Sequence, residues 1–217
     1  MFSKVYLVRH GEVENPDHVV YADLQEFVLS CRGAAQAQEA AAFLSSRPIT
    51  AVIASPLTRA VQTAQAIATP HGLKIDMVDA LTEFGLSNRW RGVRWEELDD
   101  QFPGEVEAYL DHPWDLSFSP ESLTELAGRM GAAIRNQRFD HPDGELVVVS
   151  HQDSLQAARL TLTGRPLWSF GEDKPVHAEV ITLEPGTPWQ ETAAWRPTIK
   201  SEPFPAPAPN PSIWTVS

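Results

Sequence analysis

Short apolar runs alternate with stretches of helical period along most of this chain, the pattern of an α/β protein. The runs at 5–8, 51–54, 74–78, 146–149 and 179–183 have the length of strands. After Ser30 an alanine-rich segment places Ala37, Ala40, Ala41 and Leu44 on one helical face. After Ala54 the tripeptide Ser55-Pro56-Leu57 supplies a cap and a proline for the first helical position. In that second helix Leu57, Val61, Ala64 and Ala68 are expected to face the sheet, and Arg59 to point well away from it. A third helix is expected over 154–162, carrying Leu155, Ala158 and Leu162, and a fourth starts at Ser119-Pro120-Glu121 and packs Leu123, Leu126, Met130 and Ile134.

Between Gly85 and Pro120 the sequence is rich in Trp, Arg and acidic residues, and one helix is expected from about Arg94 to Leu110. An excursion of this kind between core elements suits a specificity element or an ordinary helical insertion equally well. From Ser201 onward the prolines at 203, 205, 207, 209 and 211 favour an extended tail. Residues 1–200 are therefore read as one catalytic domain and 201–217 as a proline-rich appendage.

Composition narrows the partners. Seventeen Lys and Arg against 29 Asp and Glu give a net charge of −12, which disfavours nucleic acid and anionic membranes as partners. Any anion is then held by a local cluster of cations. The single cysteine, Cys31, is read as a small packing residue and points to no oxidising compartment. With no signal sequence or membrane-length run, a cytoplasmic location is expected.

In an open α/β sheet, ligands bind beyond the carboxyl ends of the strands. The strand ends deliver Arg9 and His10 from the first run, Arg59 from the helix after the second, Glu83 after the third, and His151 after the run at 146–149. Arginine forks suit phosphate oxygens, a neutral imidazole is a nucleophile, and a carboxyl group can protonate a departing oxygen and later activate water.

The segments LVRHGEVEN, LSCRGAAQAQEAAAFL, VIASPLTRAVQTA, LTEFG, PESLTELAGRM and VVVSHQDSLQAARL together resemble, in order, the motifs of the histidine phosphatase superfamily, which includes the phosphoglycerate mutases. The resemblance spans about 4–184 and implies a three-layer α/β/α sandwich with a mostly parallel central sheet. It implies that His10 is the phosphorylated nucleophile and that Glu83 is proton donor and then base. Arg9, Arg59 and His151 would grip the phosphoryl oxygens, with His151 expected to be cationic. Asn15, one position early for the family's asparagine, and Gln152, standing where a glycine is usual, are assigned to substrate binding. Neither a metal nor an organic cofactor is implied. The expected partners are a small phosphorylated substrate and inorganic phosphate as product.

The predicted activity is phosphomonoester hydrolysis. One rival is a mutase on the same site, although the long segment that closes those enzymes is missing between the acid and the second histidine. Another is a noncatalytic phospholigand-binding protein, against which His10, both arginines and the acid are all present. Glu12 and Asp153 compete with Glu83 for the acid role. Arg89, Arg91 and Arg94 suit either a second anionic group or a solvated loop. His18, His71, His112, His141 and His177 are read as structural or exposed, and the seven tryptophans as packing residues.

Overall fold

The computed structural model describes residues 2–137 and 144–201. His141 and the proline-rich tail beyond Ser201 lie outside the described residues. The strands are β1 Lys4–Arg9, β2 Ile49–Ala54, β3 Ile75–Met77, β4 Glu145–Ser150, β5 Val180–Glu184 and β6 Gln190–Trp195. They form one sheet in the order β3-β2-β4-β1-β5-β6. Strands β3, β2, β4 and β1 run parallel, while β5 and β6 are antiparallel additions.

The helices are α1 Cys31–Leu44, α2 Thr58–Ala68, α3 Leu86–Arg89, α4 Leu98–Gln101, α5 Glu105–Asp111, α6 Leu123–Arg135 and α7 Gln152–Thr163. Successive strand residues point to opposite faces, so each central strand feeds two cores. Tyr6, Val8, Val52 and Val147 pack with Ala40, Leu44, Ala64 and Ile67 of α1 and α2. Val5, Leu7, Ile53 and Val148 pack with Leu126, Met130, Leu155 and Ala158 of α6 and α7. The result is the expected α/β fold, with helices on both faces of a mixed sheet.

Several local expectations change. Ser55 does not cap α2: the helix starts at Thr58 with Leu57 at its cap, and the Ser55 hydroxyl is used in the site instead. The buried face of α2 is rotated toward Arg59, Ala60, Thr63, Ala64 and Ile67, leaving Val61 half-exposed. Helix α6 begins at Leu123, three to four residues later than expected. Ser122 and Glu125 there form a reciprocal capping box that Ser119 cannot match. The helix expected over 94–110 is broken into α4 and α5, because Pro103 lacks an N–H and Gly104 takes φ 75°. Cys31 is exposed at the start of α1 rather than packed. The sequence pattern does not predict strand β6, since an edge strand that is mostly exposed shows no apolar alternation.

Two glycines bring the first motif against α1. A Cβ on Gly11 would lie 2.3 Å from the Gly33 carbonyl oxygen, and one on Gly33 would lie 1.9 Å from that of Glu12. No side chain fits at either position. Among the described residues no helix is long and apolar enough to cross a membrane.

Candidate active site

The parallel strands end at one edge, where β1 and β4 are adjacent and β2 lies beside β4. Arg9 closes β1 and His10 follows it, its N–H donating to the Ser150 carbonyl at the end of β4 (3.0 Å). His151 comes next on β4 and caps α7. Five of the predicted residues, Arg9, His10, Arg59, Glu83 and His151, therefore meet at this edge.

His10 is buried, and its Nδ1 lies 2.7 Å from the Gly11 carbonyl oxygen. A carbonyl only accepts, so Nδ1 carries the proton and Nε2 keeps its lone pair. Burial, Arg59, His151 and Arg9 push the imidazole well below its ordinary pKa, which keeps it neutral. The His151 ring is 5.2 Å from that of His10, and its Nε2 lies 2.8 Å from the Ser55 hydroxyl. Burial and the charges of Arg59 and Arg9 drive the His151 pKa well down. In the free fold this favours the neutral ring at His151, where the resemblance implies a cation.

Arg59 is fully buried and donates to the backbone carbonyls of Ala22 (2.6 Å) and Leu24 (3.3 Å), with its guanidinium 4.6 Å above the Tyr21 ring. Arg9 donates to the Pro175 carbonyl (3.0 Å) and to His177 Nε2 (2.9 Å). Among the described residues neither arginine bonds a carboxylate. Arg9 Nε, Arg59 Nε and His151 Nδ1 are buried and make no hydrogen bond among the described residues. A buried or half-buried cationic fork with no directly bonded carboxylate is costly unless an anion is its partner.

Glu83 stands on the loop after β3. Its Oε1 accepts from the N–H groups of Phe84 (2.9 Å) and Ser154 (3.1 Å) and from the Ser154 hydroxyl (3.1 Å). Burial and the Asp153 carboxylate raise its pKa, against those N–H donors and Arg59. The loop is held from both sides: the Ser150 hydroxyl donates to Leu81 O (2.6 Å), and Arg129 of α6 donates to the carbonyls of Ala80, Thr82 and Glu83, each at 2.9 Å.

The competing acids are engaged elsewhere. Glu12 is paired with Arg32 (3.0 Å), and Asp153 with Lys174 and the Tyr109 hydroxyl, both at 2.8 Å. Gln152 lines the cavity and donates to the Pro175 carbonyl (3.1 Å). Asn15 is not brought to the cavity. Both ends of its amide bond the backbone of Val19, which closes a loop (2.9 and 3.0 Å). Arg89, Arg91 and Arg94 pair with Glu105, Asp23 and Glu97 respectively.

His177 was missed. Its ring lies 5.6 Å from that of His10, its Nε2 accepts from Arg9, and its Nδ1 lies 2.7 Å from the Ser201 hydroxyl. A readable signal existed: the antiparallel β5 begins at the edge where the parallel strands end, so a residue just before β5 falls in the site. Tyr21, Trp90 and Trp95 also line the cavity, and both tryptophans pack against the core as well.

An imidazole lone pair beside two guanidinium groups that bond no carboxylate among the described residues, with a carboxyl of raised pKa close by, defines a phosphoryl-handling enzyme site of the histidine type. Comparison with known proteins agrees. The family model "Histidine phosphatase superfamily (branch 1)" matches residues 5–196. An uncharacterized protein of Mycobacterium tuberculosis is 40% identical over 167 residues, covering 76% of this chain and 81% of that one. Phosphoserine phosphatase 1 of Hydrogenobacter thermophilus is 32% identical over 185 residues, 83% of this chain and 87% of that one. The structure of a mycobacterial glucosyl-3-phosphoglycerate phosphatase complexed with VO3 superposes with a TM-score of 0.79 at 23% identity, covering 90% of this chain and all of that one. This chain belongs to the histidine phosphatase superfamily, and its fold and family mark it as a phosphatase.

Proposed function

We propose that the protein hydrolyses phosphomonoesters through a phosphohistidine on His10. The observation that carries this reading is the pair of guanidinium groups, Arg9 and Arg59, that bond no carboxylate among the described residues and stand beside a buried neutral imidazole. A phosphoryl group supplies the missing counter-charge.

In the first step the His10 Nε2 lone pair attacks phosphorus and the ester P–O bond breaks. The Glu83 proton passes to the departing alkoxide oxygen, so the alcohol leaves neutral. Glu83, now a carboxylate, takes a proton from a water whose oxygen attacks phosphorus. The P–N bond breaks, its electron pair returns to His10 Nε2, and inorganic phosphate leaves. Arg9, Arg59 and His151 bind the three nonbridging oxygens, where charge neutralisation matters most in a loose transition state. His151 needs no charge for this, because a neutral ring with Nε2 accepting from the Ser55 hydroxyl presents Nδ1–H as a donor.

The Gln152 amide and the His177 ring border the same space. The experiment is hydrolysis of an aryl phosphate by the wild type and by His10→Ala. The variant is expected to lose at least a thousandfold in kcat, and activity within tenfold of the wild type would reject the nucleophile.

A further inference from the structure

The cavity that opens from His10 has a volume of about 860 Å³, toward the upper end of the range for small-molecule sites. The phosphoryl group accounts for only one end of it. Much of the remaining wall is apolar: Val20 and Tyr21 come from the loop after β1, Leu86 and Trp90 from α3 and the residue after it, Trp95 from the turn before α4, and Ile199 from the C-terminal segment. The family model ends at residue 196, so Ile199 lies beyond it.

The cations of this outer region are already engaged. Lys174 donates to Asp153 (2.8 Å) and to the Tyr109 hydroxyl (2.6 Å), and Arg196 donates to Glu179 and Asp173, both at 3.0 Å. Only Lys200, exposed at the rim, bonds no carboxylate among the described residues. The Asp153 carboxylate and the Glu83 carboxyl also line the wall. A second acidic group on the substrate finds no fork here comparable to Arg9 or Arg59, whereas carbon atoms find an extended surface to cover.

Resting on the phosphatase reading, we infer that the preferred substrates are phosphomonoesters of bulky apolar alcohols, bound by an aromatic and aliphatic wall to which the C-terminal segment contributes. Burial of each further methylene against that wall is expected to raise kcat/KM about threefold until the wall is covered.

The test uses the full chain and a series of primary alkyl phosphates from ethyl to octyl, with 2-phenylethyl phosphate as an aromatic arm. The leaving alcohols differ little in acidity, so the series reports the wall and not the chemistry. The expected result is a rise of at least thirtyfold in kcat/KM from ethyl to hexyl. Phosphoserine and 3-phosphoglycerate are expected to fall below hexyl phosphate, and Ile199→Glu to lower kcat/KM for hexyl more than for ethyl phosphate. A greater gain for 2-phenylethyl than for hexyl phosphate would support the inference and locate the selectivity in Trp90 and Trp95. A flat or falling series with measurable turnover, or phosphoserine or 3-phosphoglycerate exceeding hexyl phosphate, overturns it. If no ester is hydrolysed, aryl phosphates included, the phosphatase reading falls and this inference falls with it.

Discussion

Two side chains of the site have pKa values moved in opposite directions, and both shifts are set by burial. The His10 imidazole is held below its ordinary 6.5, so the nucleophile is lost only when pH falls well under that value. The Glu83 carboxyl is raised above its ordinary 4.5, so the proton donor is lost as pH rises through the raised value. The pH profile of kcat/KM is therefore predicted to be bell-shaped with its maximum on the acid side of neutrality. Glu83→Gln keeps an N–H donor but no transferable proton. It should cost about a hundredfold for alkyl esters and far less for p-nitrophenyl phosphate, whose leaving group needs no proton. His177 is a positioning residue for Arg9. His177→Ala should lower kcat/KM about tenfold, and His177→Gln, which can still offer an acceptor, should restore part of the loss. The placement of Arg9, His10 and Arg59 at one edge was open to sequence reasoning because motif order tied them to strand ends. His177 was not, because recognising it depends on knowing that β5 runs against its neighbours. The neutrality of His151 was equally hidden, since it arises from burial near Arg59 and Arg9, which no local pattern records.

Individual elements carry the catalytic groups to within reach of one another. Helix α6 holds the Glu83 loop through Arg129, which also bonds both carboxylate oxygens of Glu121 (2.5 and 2.9 Å). Arg129→Met removes the donors to three backbone carbonyls. It should destabilise the protein by about 2 kcal/mol and lower kcat about tenfold while the His10 phosphoryl adduct still forms from an aryl phosphate. Denaturant unfolding and single-turnover kinetics would separate these effects. Ser122→Ala removes the capping box of α6 and should cost about 1 kcal/mol, with little change in KM. The main helices were legible because three or four apolar positions recur at helical spacing in each. Their starts were less so: serine precedes proline before both α2 and α6, and in neither does that serine cap the helix. For α2 the buried Ser55 hydroxyl instead meets His151, an outcome determined by strand packing. The region at 85–120 was ambiguous because its chain turns sharply and one of its arginines, Arg91, pairs with an acid far along the sequence, Asp23.

At the scale of the whole molecule the site is a destabilising feature that a ligand relieves. The imidazoles of His10, His151 and His177 all have pKa values well below 6.5 in the fold. Below that pH the unfolded chain binds protons that the folded chain does not, so stability should fall as pH drops from about 6.5 toward the folded values. Glu83 acts in the opposite sense, its contribution falling as pH rises from its unfolded toward its folded pKa, and it offsets part of this trend. Phosphate or vanadate supplies the counter-charge missing at Arg9 and Arg59. At a hundred times its dissociation constant either ion should stabilise the fold by about 2.7 kcal/mol, seen as a rise in Tm that Arg59→Met removes. An acidic chain with net charge −12 binds an anion here only through that local cluster. The central claim is that the phosphoryl group passes through His10. The most direct measurement is acid-free rapid quench of the enzyme with a radiolabelled aryl phosphate, followed by peptide mapping of the trapped protein. The account predicts a phosphoryl group, labile in acid and stable in alkali, on the peptide containing His10, at up to one equivalent and absent from His10→Ala. A label on another residue, or turnover in His10→Ala near the wild-type rate, would contradict it.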